Sequence, residues 1–256
     1  MKKAIVFAKR NFIEMSRDTL SYIFCVAFPI VMLVIMTLVN ESIPAEAEMT
    51  IFRIDNLAGG VVIFGQTFVM LFTALNVSKD RTGSFLIRMF ASPMKPNDFT
   101  AGYILPMLAV ALIQALCIFA AAFIISLITG FTINPLAILL LIPAMLPSAL
   151  LFAALGFLFG ALFSEKAAPG LCSIIISLGS FVGGIWFDAE ATGGILLKIC
   201  KCLPFIYCTK SVRAAITLDL SFDSFILPEI IVIACTVVLL FLSSFAFRKR
   251  MKADLA

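Results

Sequence analysis

Cys200, Cys202 and Cys208 form the tightest cluster of side chains able to hold a metal or cycle through a disulfide. A C-x-C pair with one more distant thiol and no imidazole matches known zinc ligand spacing poorly, so no metal site is expected. The chain has no histidine, which removes Ser/His hydrolysis, imidazole-held zinc and most proton relays together. It has no GxxxxGK[ST] segment either. Without a loop to cradle nucleotide phosphates, the chain is not expected to hydrolyse ATP or to be an enzyme. Charged and amide residues remain. Asp80, Arg81 and Arg88 stand in "NVSKDRTGSFLIRMFASPMKPNDF" at 76–99, and Gln66, Asn76 and Gln114 stand among apolar residues.

Composition dictates what positions them. Of 256 residues, 62% are hydrophobic and 13% charged, and the mean hydropathy is +1.13. A helix needs about 20 residues to cross a hydrocarbon core about 30 Å thick, and it satisfies its own backbone there. Barrel strands would alternate in polarity, and these runs do not. The expected fold is therefore an all-α membrane protein with six transmembrane helices over Thr19–Asn40, Leu57–Val77, Ala101–Thr129, Leu136–Phe163, Pro169–Phe187 and Phe225–Phe247. Fourteen of the 19 basic residues fall in the N-terminal segment, the second and fourth connections and the tail. The positive-inside rule then places both termini, and 76–99 with them, in the cytoplasm. A net charge of +4 gives no reason to expect a nucleic-acid partner, and no signal-peptide cleavage is expected after the first apolar run.

Three segments between the spans have their own patterns. In residues 1–18, Met1, Ala4, Ile5, Ala8, Phe12 and Met15 share an arc opposite most of the basic residues, predicting an amphipathic helix in the inner interface. From Asp80 to Ala91, Phe85, Leu86, Met89 and Phe90 share one face while Arg81, Ser84 and Arg88 share the other. That pattern reads as a short helix ended by Ser92–Pro93, or as a solvated loop with a few apolar anchors. The outer connection 188–224 contains "GGILLKICKCLPFIYCTKSVRAAI", too apolar for a solvated loop and too interrupted for a span. It reads as a re-entrant helix-break-helix, or as an amphipathic hairpin on the surface. Gln66, Asn76 and Gln114 either line a substrate path or hydrogen-bond between helices. Gly156-x-x-x-Gly160 and Gly179-x-x-x-Gly183 permit close helix packing, within the subunit or at a dimer seam.

Three stretches together resemble the membrane subunit of ABC-2 type export permeases, a group that includes drug-resistance (multidrug efflux), lipid and polysaccharide exporters. They are "RNFIEMSRDTLSYIFCVAFPIVML" at 10–33, "KDRTGSFLIRMFASPMKPNDFTAGYIL" at 79–105 and "GGIWFDAEATGGILLKICKCLPFIYCTKSVRAA" at 183–215. The resemblance implies a connecting helix at 1–18 leading into a six-span domain over 19–256. It implies a cytoplasmic coupling region at 78–99, in which Asp80, Arg81, Gly83, Phe85, Leu86, Arg88, Met89 and Pro93 contact an ATPase. Asp80 and Ser84 stand where Glu and Thr are usual. Pro204, Tyr207 and Arg213 match the outer re-entrant segment. The implied partners are a cytoplasmic ABC ATPase subunit, which holds ATP and Mg, a second permease subunit (the same or different) and the bilayer. No cofactor is implied on this chain, and the implied location is a bacterial plasma (inner) membrane. The other class open at this point is a non-transporting six-span assembly or sensor subunit whose cytoplasmic helix docks a partner. An ion-coupled carrier fits less well, because no acidic or basic residue stands clearly mid-span.

Overall fold

Helices are the only regular elements among the described residues of the computed structural model, which are all but 1, 45–49, 84–93, 95, 132 and 255–256. In chain order they are α1 (Lys2–Ser16), α2 (Thr19–Ser42), α3 (Ile54–Thr82), α4 (Pro96–Thr129), α5 (Ala137–Leu162), α6 (Ala168–Val182), α7 (Ala189–Thr192), α8 (Gly194–Cys202), α9 (Phe205–Thr217) and α10 (Leu227–Asp254). Five helices among the described residues are long and apolar enough to cross a bilayer: α2, α3, α4, α5 and the run Phe222–Arg250 that contains most of α10. The expected span Pro169–Phe187 is a 15-residue helix, α6, followed by a turn. At 1.5 Å per residue, α6 alone covers only about 22 Å.

Local chemistry sets the breaks. Asp18 caps α2 by accepting the Leu20 N–H at 3.2 Å, and the Ser21 hydroxyl donates to its other oxygen at 2.7 Å. Within α2 the turn Ile23–Ala27 is wider than an α-turn, and a second wide turn, Phe222–Ile226, leads into α10. Each ends two residues before a proline, Pro29 or Pro228. A proline lacks the N–H for the carbonyl four residues back and clashes with it, and widening the turn relieves both defects.

The centre of the bundle is α3. Its apolar window is 94% buried, against 22% for α2 and 17% for the helix containing α10. Small residues make this possible. A Cβ at Gly160 of α5 would lie 2.7 Å from the Ala74 carbonyl oxygen and 2.6 Å from Val77 Cβ, and one at Gly156 would overlap Met70. The first glycine pair thus packs α5 against α3 inside the chain. Gly179 of α6 and Gly183 just after it face Phe205 of α9, at 3.9 and 3.4 Å from their ideal Cβ positions.

The face of α1 buried within the protein is Ala4, Phe7, Ala8, Asn11 and Met15, which shares Ala4, Ala8 and Met15 with the expected arc, while Ile5 is 58% exposed. Phe7 is the apolar addition. Its ring lies over Gly102, where any Cβ would overlap it, and meets Phe99 and Tyr103 edge-on at 5.7 and 5.0 Å.

Candidate functional site

The last turn of α3 carries Lys79, Asp80, Arg81 and Thr82, and Gly83 closes it by donating its N–H to the Lys79 carbonyl at 3.0 Å. These residues continue α3, which corrects the expectation that a separate helix begins at Asp80. Phe85, Leu86, Arg88, Met89 and Pro93 lie outside the described residues.

Adjacent side chains of this turn point in different directions. Asp80, 6% exposed, turns inward. Its Oδ2 accepts from Arg10 Nη1 at 2.8 Å and from the Tyr103 hydroxyl at 2.8 Å. One carboxylate therefore joins α1, α3 and α4. Arg10 also pairs with Glu14 at 2.7 Å, and Lys79 reaches Glu14 at 3.4 Å. Asn11 adds a hydrogen bond to the Gly102 carbonyl at 3.0 Å. Burial opposes the charge of Arg10, but the hydrogen bond and the carboxylates of Asp80 and Glu14 outweigh it and raise its pKa.

Arg81 reaches the other way. Its Nη1 donates to the carbonyls of Gly160 at 2.9 Å and Phe163 at 3.2 Å, and to that of Ala161 between them. The last carbonyls of a helix have no partner inside it and carry the negative end of its dipole, so a guanidinium there answers both needs. Thr82 extends the bridge with a 3.3 Å hydrogen bond to Glu165. Sequence reasoning singled out Asp80 and Arg81 as contacts for an ATPase, whereas both side chains bond here to other helices of the same chain, and it missed Arg10, Asn11, Glu14 and Tyr103. The i,i+4 spacing of Arg10 and Glu14 was the one available signal.

At the opposite end of α3, the segment 188–224 contains two main helices broken at Leu203–Pro204. α9 does not lie exposed as a surface hairpin would: Cys208, Thr209, Ser211 and Val212 are at most 1% exposed. Pro204 starts α9, and the Tyr207 hydroxyl donates to the Lys201 carbonyl at 3.0 Å. Arg213 reaches α3 through a hydrogen bond. Its guanidinium donates to the Asn56 carbonyl at 2.9 Å and the Ile185 carbonyl at 3.3 Å; its stem lies against Gly59, and Nη2 against Gly60. A cavity of about 230 Å³ beside it is lined by polar residues that include Asp188, Lys210 and Asp219.

Gln66 and Gln114 are fully buried, and each donates across helices, to the Met145 carbonyl at 3.3 Å and the Val62 carbonyl at 2.9 Å. That is the helix-to-helix role; Asn76 is half-buried on α3 and makes neither bond. The cysteines are unpaired, Cys200 and Cys208 are buried, and no metal-binding group of His, Cys, Asp or Glu occurs among the described residues. The arrangement at the ends of α3 suits transmission of force between helices.

A family model for ABC-2 type transporters matches residues 3–217. The chain belongs to the ABC-2 type transporter family. The ABC-2 match takes in the Asp80–Arg10 cluster, the Arg81 bridge and α9, and it ends before α10. Membership makes the chain a multi-pass membrane component of an ABC-type transporter. Comparison with curated proteins finds no match.

Proposed function

We propose that this chain is the transmembrane permease subunit of an ATP-binding cassette exporter, moving a substrate outward from the cytoplasm or inner leaflet. A separate cytoplasmic ATPase subunit, which binds and hydrolyses ATP with Mg, supplies the drive. The observation that carries this reading is the bracing of α3 immediately before residues 84–93. Asp80 ties that end to α1 and α4, and Arg81 ties it to the end of α5. A push on the elbow is thereby delivered to four helices together. Rigid hydrogen-bonded elements with a second packing arrangement are what carry coupling between distant sites.

In this reading Phe85, Leu86, Met89 and Arg88 enter the ATPase as an apolar plug with a charge beside it, and Pro93 ends their helix. Asp80, Arg81 and Gly83 hold its root. Six crossings follow if α6 and its turn count as the fifth. The path from Ala168, close after Arg81's partner Phe163, to Ile185, held with Asn56 by Arg213, runs from one end of α3 to the other. The basic ends then face the cytoplasm with both termini. α1 lies along the inner interface, α8 and α9 form the outer re-entrant segment, and two permease subunits, the same or different, work with two ATPase subunits.

The test is purification from the native host in mild detergent. An ATP-binding subunit is expected to co-elute and to be lost from the Phe85→Ala/Arg88→Glu variant. Truncating one buried anchor costs on the order of 2 kcal/mol. Retention by the double variant contradicts the coupling site, and the absence of any ATP-binding subunit contradicts the function.

A further inference from the structure

α4 and α10 both lean on α5 and meet near the basic end of α10. There Thr100 Oγ1 and Ser244 Oγ lie 3.4 Å apart, and the Phe99 and Phe247 ring centroids are 6.0 Å apart. Beside this contact opens a groove of about 930 Å³, near the top of the range of about 300–1,000 Å³ typical of small-molecule sites. Its mouth is polar: Asn97, Thr100, Ser244 and the exposed Arg248. Deeper in, Leu105 and Leu108 of α4, Leu150 of α5, and Leu240 and Phe241 of α10 make an apolar wall. No acidic residue is among the described residues that line it.

The depth is informative. From Arg248 to Leu240 the helix rises about 12 Å at 1.5 Å per residue, most of the roughly 15 Å of one leaflet's hydrocarbon. A cation at the interface, hydroxyls and an amide beside it, and hydrocarbon below reproduce the order of groups along a phospholipid. We infer that this groove binds one anionic phospholipid. Arg248 holds the phosphate, Asn97 and the hydroxyls contact the headgroup, and the acyl chains lie on the leucines. A zwitterionic lipid brings its own cation to the same mouth, which Arg248 repels. Ser244 and Arg248 lie beyond the residues that the family model matches, so membership does not assign this site. The binding claim is independent of ATP-driven transport; only the naming of the leaflet as the inner one rests on the orientation proposed above.

The test is native mass spectrometry of the full chain in detergent, titrated with phosphatidylglycerol or phosphatidylcholine. Phosphatidylglycerol should bind about fivefold more tightly, since one basic residue at an anionic membrane surface is worth about that factor. Arg248→Gln should erase the preference, and Ser244→Trp, which puts an indole into the groove's mouth, should weaken lipid binding. Lys249→Gln, an exposed neighbour that does not line the groove, should change nothing; melting temperatures check that each variant is folded. Equal affinity for the two lipids, equal loss in Arg248→Gln and Lys249→Gln, or undiminished binding in Ser244→Trp overturns the inference. A lipid-free dimer that Ser244→Trp dissociates also overturns it, by giving the groove to a second copy.

Discussion

Replacing Arg81 with methionine keeps most of the side chain's length and apolar stem while removing the donors that reach Gly160, Ala161 and Phe163. Those carbonyls end α5, so the variant strips its cap and the positive charge facing its dipole. A hydrogen bond from a charged group contributes about 1.5–3 kcal/mol net, and a cation at a partly buried helix C-terminus up to about 2 kcal/mol. The two describe the same contacts, and Arg81 is half-buried, so the expected loss is about 2–3 kcal/mol. Local opening should become about 30- to 150-fold more frequent. Hydrogen exchange in detergent, read on peptides covering the end of α5 and the last turn of α3, should speed up in both segments. Arg81→Lys, which keeps the charge without the planar fork, should recover part of the protection. Unchanged exchange at the end of α5 in Arg81→Met would refute the bridge.

Asp80→Asn keeps the shape but turns one oxygen facing Arg10 into a donor; because Arg10 is partly exposed and keeps Glu14, the cost should be about 1–3 kcal/mol, read as faster proteolysis within α1. Tyr103→Phe should loosen α1 less, since Arg10 still meets the carboxylate; equal effects from the two variants would contradict this ranking. Gly156→Ala should lower the detergent melting temperature clearly, because its Cβ meets Met70 backbone, whereas Gly179→Ala, with its nearest neighbour ring atoms at 3.9 Å, should be close to neutral. Arg213→Met should release α9 from Asn56 and Ile185, seen as greater labelling of the buried Cys208 by a small thiol reagent, while Tyr207→Phe should leave labelling unchanged.

The sequence made five of the six expected spans legible, because hydrocarbon imposes length and apolarity on contiguous residues, whereas Pro169–Phe187 folds as a 15-residue helix and a turn. It also exposed the Gly156/Gly160 stripe, since small residues four apart share a helix face. Burial order was not legible: α2 and the last helix are as apolar as any, yet α3, the least apolar of the five spans, takes the centre. A lipid-facing side chain and a buried one can both be leucine, so hydropathy does not separate them. The Asp80 cluster was hidden for another reason. Arg10 and Tyr103 lie 70 residues before and 23 residues after Asp80, and no local period links them. The seat of α1 on α4 was not legible because it follows from a tertiary fit, the Phe7 ring over Gly102, which no local pattern marks.

The central claim is that the elbow at 84–93 meets a separate ATPase on the cytoplasmic side. A photo-reactive amino acid placed at Phe85 and irradiated in intact cells of the native host tests it most directly. The expected product is a covalent adduct between this chain and an ATP-binding subunit, formed on the cytoplasmic side and absent when the probe replaces Phe131 on the opposite face. An elbow that reacts only with lipid, or that is reached by a membrane-impermeant reagent from outside, would contradict the account.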